Sequence, residues 1–112
     1  MIQKLEKDRL FGYIYLKMID KITPEKLHQY FSITKEALDK AQKALDKDRL
    51  KEAEDFWDMA SRYYSDAQYF QNEKKDFVLA FAALNYAHGW LDAGARIGLF
   101  KVKDSRLFTV DD

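Results

Sequence analysis

Apolar residues are densest between Ala80 and Phe100, AFAALNYAHGWLDAGARIGLF, where they occur on nearly every side of a helix. At about 100° per residue, Phe77, Ala80, Leu84, Ala87, Leu91, Ala95 and Gly98 line up as one stripe. Leu79, Ala83, Tyr86, Trp90, Ala93 and Ile97 form a second, roughly opposite. A narrow polar seam of Asn85, His88, Asp92 and Arg96 runs between them. A helix wet on one side needs a single apolar stripe. Two stripes predict cover on two sides, so this helix is either central or meets a partner with its far face.

Two helices are expected before it. Thr23-Pro24-Glu25 combines a capping hydroxyl, a proline suited to the first turn and a carboxylate that complements the helix dipole. Leu27, Tyr30, Phe31, Thr34, Ala37, Leu38, Ala41 and Leu45 then recur at three-four spacing opposite Lys35, Glu36, Asp39, Lys40 and Lys43, predicting a helix over 25–46. The joint Asp46-Lys47-Asp48-Arg49 contains neither Gly nor Pro, so the break is placed by phase. The next stripe, Leu50, Ala53, Trp57, Ala60, Tyr64 and Ala67, does not continue that of Leu45. Phe56, Met59, Tyr63 and Phe70 widen it, and a second helix is predicted over 49–72, capped by Asp46 or Asp48. Asp76 is the expected cap of the third, over 76–98, and Gly98 stands where a left-handed residue would end it. Short joints between amphipathic helices predict an all-α fold, an antiparallel three-helix bundle. Small residues on the third helix (Ala80, Ala87, Gly94, Ala95, Gly98) should receive the large aromatics of the second.

Residues 1–22 read as a leading segment, 23–98 as the helical core and 99–112 as a C-terminal tail of one domain. In the leading segment Phe11, Ile14, Tyr15, Met18 and Ile22 are spaced for an extra N-terminal helix, although Phe11-Gly12-Tyr13-Ile14-Tyr15 also suits a strand. The tail has no helical period. Leu107, Phe108 and Val110 predict an extended docked segment, or a hairpin turning at Asp104-Ser105.

Composition narrows the function classes. Zero cysteines exclude disulfides, thiolate metal sites and cysteine nucleophiles, and suit a cytoplasmic setting. Nineteen basic residues balance nineteen acidic ones, so the chain lacks the basic excess of a dedicated nucleic-acid binder. No apolar run approaches the roughly 20 residues that span a bilayer, and Lys7, Asp8, Arg9 and Lys17 break up the leading segment as a signal peptide.

The segment Ala80 to Phe100, preceded by EDFWDMASRYYSDAQYF and followed by RLFTV, closely resembles the archaeal family known as domain of unknown function 357. The likeness spans about residues 25–110 and is most specific from Asn85 to Phe100. It implies a small, mainly helical cytosolic domain. It carries no assigned reaction, so it transfers no catalytic residue. The chain departs from the family pattern in its leading segment, and in Glu73-Lys74-Lys75-Asp76, where a glycine turn is expected.

The polar seam is the one constellation with chemical potential. His88, Asp92 and Arg96 stand at four-residue intervals, so a carboxylate can orient an imidazole beside an anion-binding guanidinium. Asn85, His88, Asp92 and Arg96 are therefore the candidate ligand-binding residues. The plainer reading is an Asp92–Arg96 surface pair beside a histidine bonded to another helix. Glu25-x-x-His28 matches half of a di-iron carboxylate motif, but helical phase puts both residues on the solvent side. No cofactor or metal is expected. No Gly-rich phosphate loop, GxSxG elbow or HExxH pair is present, which makes enzyme the minority reading. The favoured function is a helical interaction module with a protein partner or a second copy of itself, using Tyr86, Trp90 and Ile97 as anchors. The alternative is a small-molecule or nucleotide-binding protein built on the seam.

Overall fold

The computed structural model describes residues 20–111. The leading-segment residues Phe11, Ile14, Tyr15 and Met18 lie outside that range. The described chain is all-α: helix α1 (Pro24–Gln42), a short 3-10 turn (Lys47–Arg49), α2 (Leu50–Asn72) and α3 (Phe77–Arg96). No helix among the described residues is long and apolar enough to cross a membrane.

Two of the three expected helix caps are in place. The Thr23 hydroxyl accepts from the Lys26 amide at 3.1 Å, and the Asp76 carboxylate from the Leu79 amide at 3.0 Å. Asp46 caps the 3-10 turn, while α2 itself begins after Arg49 without a side-chain cap. Gly98 follows the end of α3 at φ +78°, a left-handed conformation that costs glycine nothing. Lys75 adopts φ +53° in the joint between α2 and α3, so a lysine performs the turn that glycine would perform without strain.

One boundary differs from the periodicity. α1 ends at Gln42 rather than near Asp46, because tertiary partners claim the backbone beyond it. The Lys101 amide donates to the Ala44 carbonyl at 2.7 Å, and the Asp46 amide to the Leu99 carbonyl at 2.8 Å, forming a bridge between Leu45 and Phe100. Leu45 keeps its apolar role, half-buried, outside the helix.

The helices run up, down and up. Tyr30 meets Phe81 and Thr34 meets His88, so α1 and α3 run the same way. Phe31 meets Tyr64, and the Trp57 indole N–H donates to the Leu38 carbonyl at 2.8 Å, so α2 runs against them. Ala80, Leu84, Ala87, Leu91 and Ala95 of the first predicted stripe are buried. Apart from Ala87 they fall in two core clusters: one around Leu27, Phe31, Ala67 and Leu84, the other around Leu38, Ala60, Leu91, Phe100, Leu107 and Phe108. The Phe100 ring lies flush on α3 at Gly94, where an added Cβ would stand 2.3 Å from the ring edge.

The second stripe has a different fate. Ala83 is buried, and α2 partly covers Tyr86 and Trp90 through Tyr63 and Phe56, with ring centroids 4.5 and 5.0 Å apart. Leu79, Tyr86 and Ile97 remain 46%, 58% and 54% exposed among the described residues. The tail does dock, with Leu107 and Phe108 buried, but it is not a hairpin. After extended residues it closes one turn at Asp104, whose carbonyl accepts from the Leu107 and Phe108 amides while its carboxylate accepts from the Arg106 amide.

Candidate functional site

The seam and the far face of α3 are two surfaces of one helix, and the structure assigns them different neighbours. On the seam, His88 is wedged between α1 and the tail. Its Nε2 lies 2.6 Å from the Leu107 carbonyl and its Nδ1 3.0 Å from the Thr34 hydroxyl. A carbonyl only accepts, so Nε2 carries the proton and donates. In the neutral ring Nδ1 then accepts from Thr34, whose side chain is buried at 2% exposure. One imidazole thus satisfies a buried hydroxyl and a tail carbonyl together.

Asp92 lies one turn on. Its Oδ1 accepts from the Thr109 amide at 2.9 Å and stands 3.9 Å from His88 Nε2. Together His88 and Asp92 grip the tail by a carbonyl and, two residues later, an amide. Side chains finish the attachment: Lys40 to Asp104 at 2.8 Å, and Arg106 to Glu36 through both guanidinium nitrogens. Arg106 beside Glu36 and Lys40 beside Asp104 hold both carboxyls below their ordinary pKa values. Where α1 and α3 end, Arg49 lowers the pKa of Asp46 and donates from Nη2 to the Ile97 carbonyl just after α3.

A groove of about 430 Å³ opens beside this attachment, bordered by His88, Asp92, Arg96, Arg106 and the tail from Ser105 to Asp111. The structure therefore brings three of the four seam residues together. Asn85 is not with them; it borders a separate groove on the far face. Asp92 bonds the tail rather than Arg96, so the expected Asp92–Arg96 pair is replaced by a contact that periodicity does not show. Among the described residues no group of His, Asp and Glu side chains gathers to hold a metal, and Glu25 and His28 are both exposed on α1.

The far-face groove, about 420 Å³, is lined by Phe56, Asn85, Tyr86, Gly89, Trp90 and Ala93. Gly89 is its bare floor: a Cβ there would meet nothing within 4 Å among the described residues. Tyr86 and Trp90 are its walls. Ile97 lies further along the same helix, and Val78, 68% exposed, begins the row at the other end.

Sequence reasoning passed over Thr34, Val78 and Phe56 as site residues. A signal existed for Thr34, since a polar residue within an inward stripe needs a bonded partner. Nothing local marks Leu107 and Thr109, whose backbone rather than side chains engage the seam.

No curated protein and no solved structure matches the chain. The sequence-family profile described as protein of unknown function (DUF357) matches residues 29–100, from the middle of α1 through α2 and α3 to the core ring of Phe100. The chain belongs to that family.

Proposed function

We propose that this protein is a helical protein-interaction module that self-associates through the outward face of α3. The observation that carries the reading is an apolar row on a helix already packed on its other side. Val78, Leu79, Tyr86 and Ile97 are 68%, 46%, 58% and 54% exposed, beside an open groove walled by Phe56 and Trp90. Single exposed apolar residues are ordinary, whereas a contiguous row with aromatic walls is the usual character of a docking surface. Zero net charge supports a second copy as partner, because two such chains approach without net repulsion.

Sedimentation of the full chain across a concentration series tests this, with Tyr86→Lys as the variant. The expected result is a concentration-dependent dimer that the substitution weakens. A chain that stays monomeric throughout the series, with or without the lysine, overturns it.

A second reading keeps the seam groove as an anion or nucleotide site, favoured by the convergence of Arg96 and Arg106 beside His88. It is the weaker one, because both His88 nitrogens and the Asp92 carboxylate are already engaged by Thr34 and the tail. Thermal-shift screening with phosphate and nucleotides separates the two readings. Stabilisation lost on Arg96→Ala would favour the seam.

A further inference from the structure

Beyond Lys101, whose amide bonds the Ala44 carbonyl, the tail makes no backbone–backbone bond to the helices among the described residues. Its later bonds of that kind are internal, from Val102 to Phe100, from Leu107 and Phe108 to Asp104, and from Val110 to Phe108. The helices hold it by side chains instead, as they would hold a separate peptide. His88 donates to the Leu107 carbonyl and Asp92 accepts from the Thr109 amide, and neither contact reads a side chain. Selection comes from what projects around them. Leu107 and Phe108, 2% and 3% exposed, sink into the cluster of Leu38, Leu91 and Phe100, and Val110 packs at its edge. Arg106 bonds Glu36 ahead of these anchors, and Asp111 borders the same groove as Arg96 after them. Thr109 is exposed, so its position is unrestricted. Main-chain bonds for affinity and pockets for chosen side chains are a recurring plan of peptide recognition.

We propose that the cleft between α1 and α3 is a peptide site for a partner segment reading Arg-Leu-Phe-x-Val followed by an acidic residue. The chain's own tail is its resident, autoinhibitory occupant. The site lies on the α1-facing side of α3, so it serves whether or not the outward face of that helix self-associates. Three features mark the tail as exchangeable. Its ion pairs, Lys40–Asp104 and Arg106–Glu36, join side chains 28–62% exposed, and such pairs add little. It leaves its cleft part-filled, with about 430 Å³ open beside His88, Asp92 and Arg96. The residues that grip it, Glu36, Lys40, His88 and Asp92, all fall within the family match over 29–100, whereas the tail lies outside the matched stretch. A tail on a short tether acts at an effective concentration on the order of millimolar, so a partner segment must fill both apolar pockets to displace it.

The test uses full-length chains and a labelled peptide of the chain's own residues 103–111, KDSRLFTVD, with binding read by fluorescence anisotropy. Arg106→Glu sets a carboxylate against Glu36 and loosens the resident tail without touching a buried residue. Phe108→Ala loosens it from the core side, with circular dichroism as the check on folding. Both chains are expected to bind the peptide at least about tenfold more tightly than the unsubstituted chain, because a competitor has been weakened. A peptide with alanine in place of its leucine and phenylalanine is expected to bind none of them. Glu36→Arg is expected to prefer, by at least about fivefold, a peptide with glutamate in place of its arginine, which assigns the binding to this cleft. Equal affinity for the unsubstituted and Arg106→Glu chains, or no binding to a folded Arg106→Glu chain at millimolar peptide, overturns the proposal. A dimer of the unsubstituted chain that excess peptide dissolves, and that Tyr86→Lys leaves intact, would make a second copy's tail the occupant and overturn the partner assignment.

Discussion

Replacing Gly94 with alanine puts a methyl group 2.3 and 2.8 Å from two carbons of the Phe100 ring, well inside contact distance. Phe100 is 1% exposed, and Leu91, Ala95 and Leu107 share its cluster, so the ring has no free direction in which to retreat. Overpacking of this kind costs about 1–3 kcal/mol. Against it stands the helix preference for alanine over glycine, about 1 kcal/mol in favour of the variant. With the added carbon this deep inside contact distance the overpacking cost falls in the upper part of its range, about 2–3 kcal/mol, so the net expectation for Gly94→Ala is a loss of about 1–2 kcal/mol. Gly89 lies on the same helix with nothing within 4 Å of its Cβ position, so Gly89→Ala keeps the propensity gain alone, about 0.5–1 kcal/mol. Two identical substitutions five residues apart should therefore differ in sign, with midpoints separated by roughly 10 °C at about 4 °C per kcal/mol. Thermal unfolding followed by the fluorescence of Trp57 and Trp90 measures both. Dilution to the monomer removes any contribution from association at Gly89. A Gly94→Ala protein as stable as the unsubstituted chain would refute the seating of Phe100 on α3.

Three further outcomes follow from particular contacts. His88→Ala strands the Thr34 hydroxyl and the Leu107 carbonyl and should cost about 1–3 kcal/mol, with hydrogen exchange at Thr109 accelerating more than in the α3 core; equal acceleration everywhere would contradict a local grip. Lys75→Gly relieves a left-handed lysine and should stabilise by about 0.5–1 kcal/mol in the same unfolding assay, whereas a loss would show that the lysine side chain earns its place there. Glu36, Asp46 and Asp104 have folded pKa values below their unfolded ones, so the stability they supply is complete above the unfolded value and disappears as pH falls through the folded one. Acid should therefore loosen the tail before the helices, read from tail amide signals over a pH titration. Added salt should loosen the exposed Lys40–Asp104 and Arg106–Glu36 pairs in the same way, while leaving the His88 contact intact.

The helices were legible in the sequence because their determinants are local. Thr23, Asp76 and Gly98 announce ends through bonds and dihedrals within a few residues, and the inward stripes repeat at the helical period that burial demands. The two-stripe character of α3 was equally plain, as was the exposure of Glu25 and His28. The α1 terminus was not, since Gln42 is followed by backbone that pairs with Leu99 and Lys101, more than fifty residues away. The use of the seam was also decided only by the fold. Periodicity brought His88, Asp92 and Arg96 to one side of a helix, but their partners are a buried threonine on α1 and the main chain of the tail. Main-chain groups are identical at every residue, so no side-chain pattern could single out Leu107 or Thr109. The sequence alone settled which faces of each helix are apolar. Tertiary packing settled which of those faces other residues cover and which, like that of Tyr86 and Gly89, stay open among the described residues, because cover depends on distant segments rather than on the helix itself.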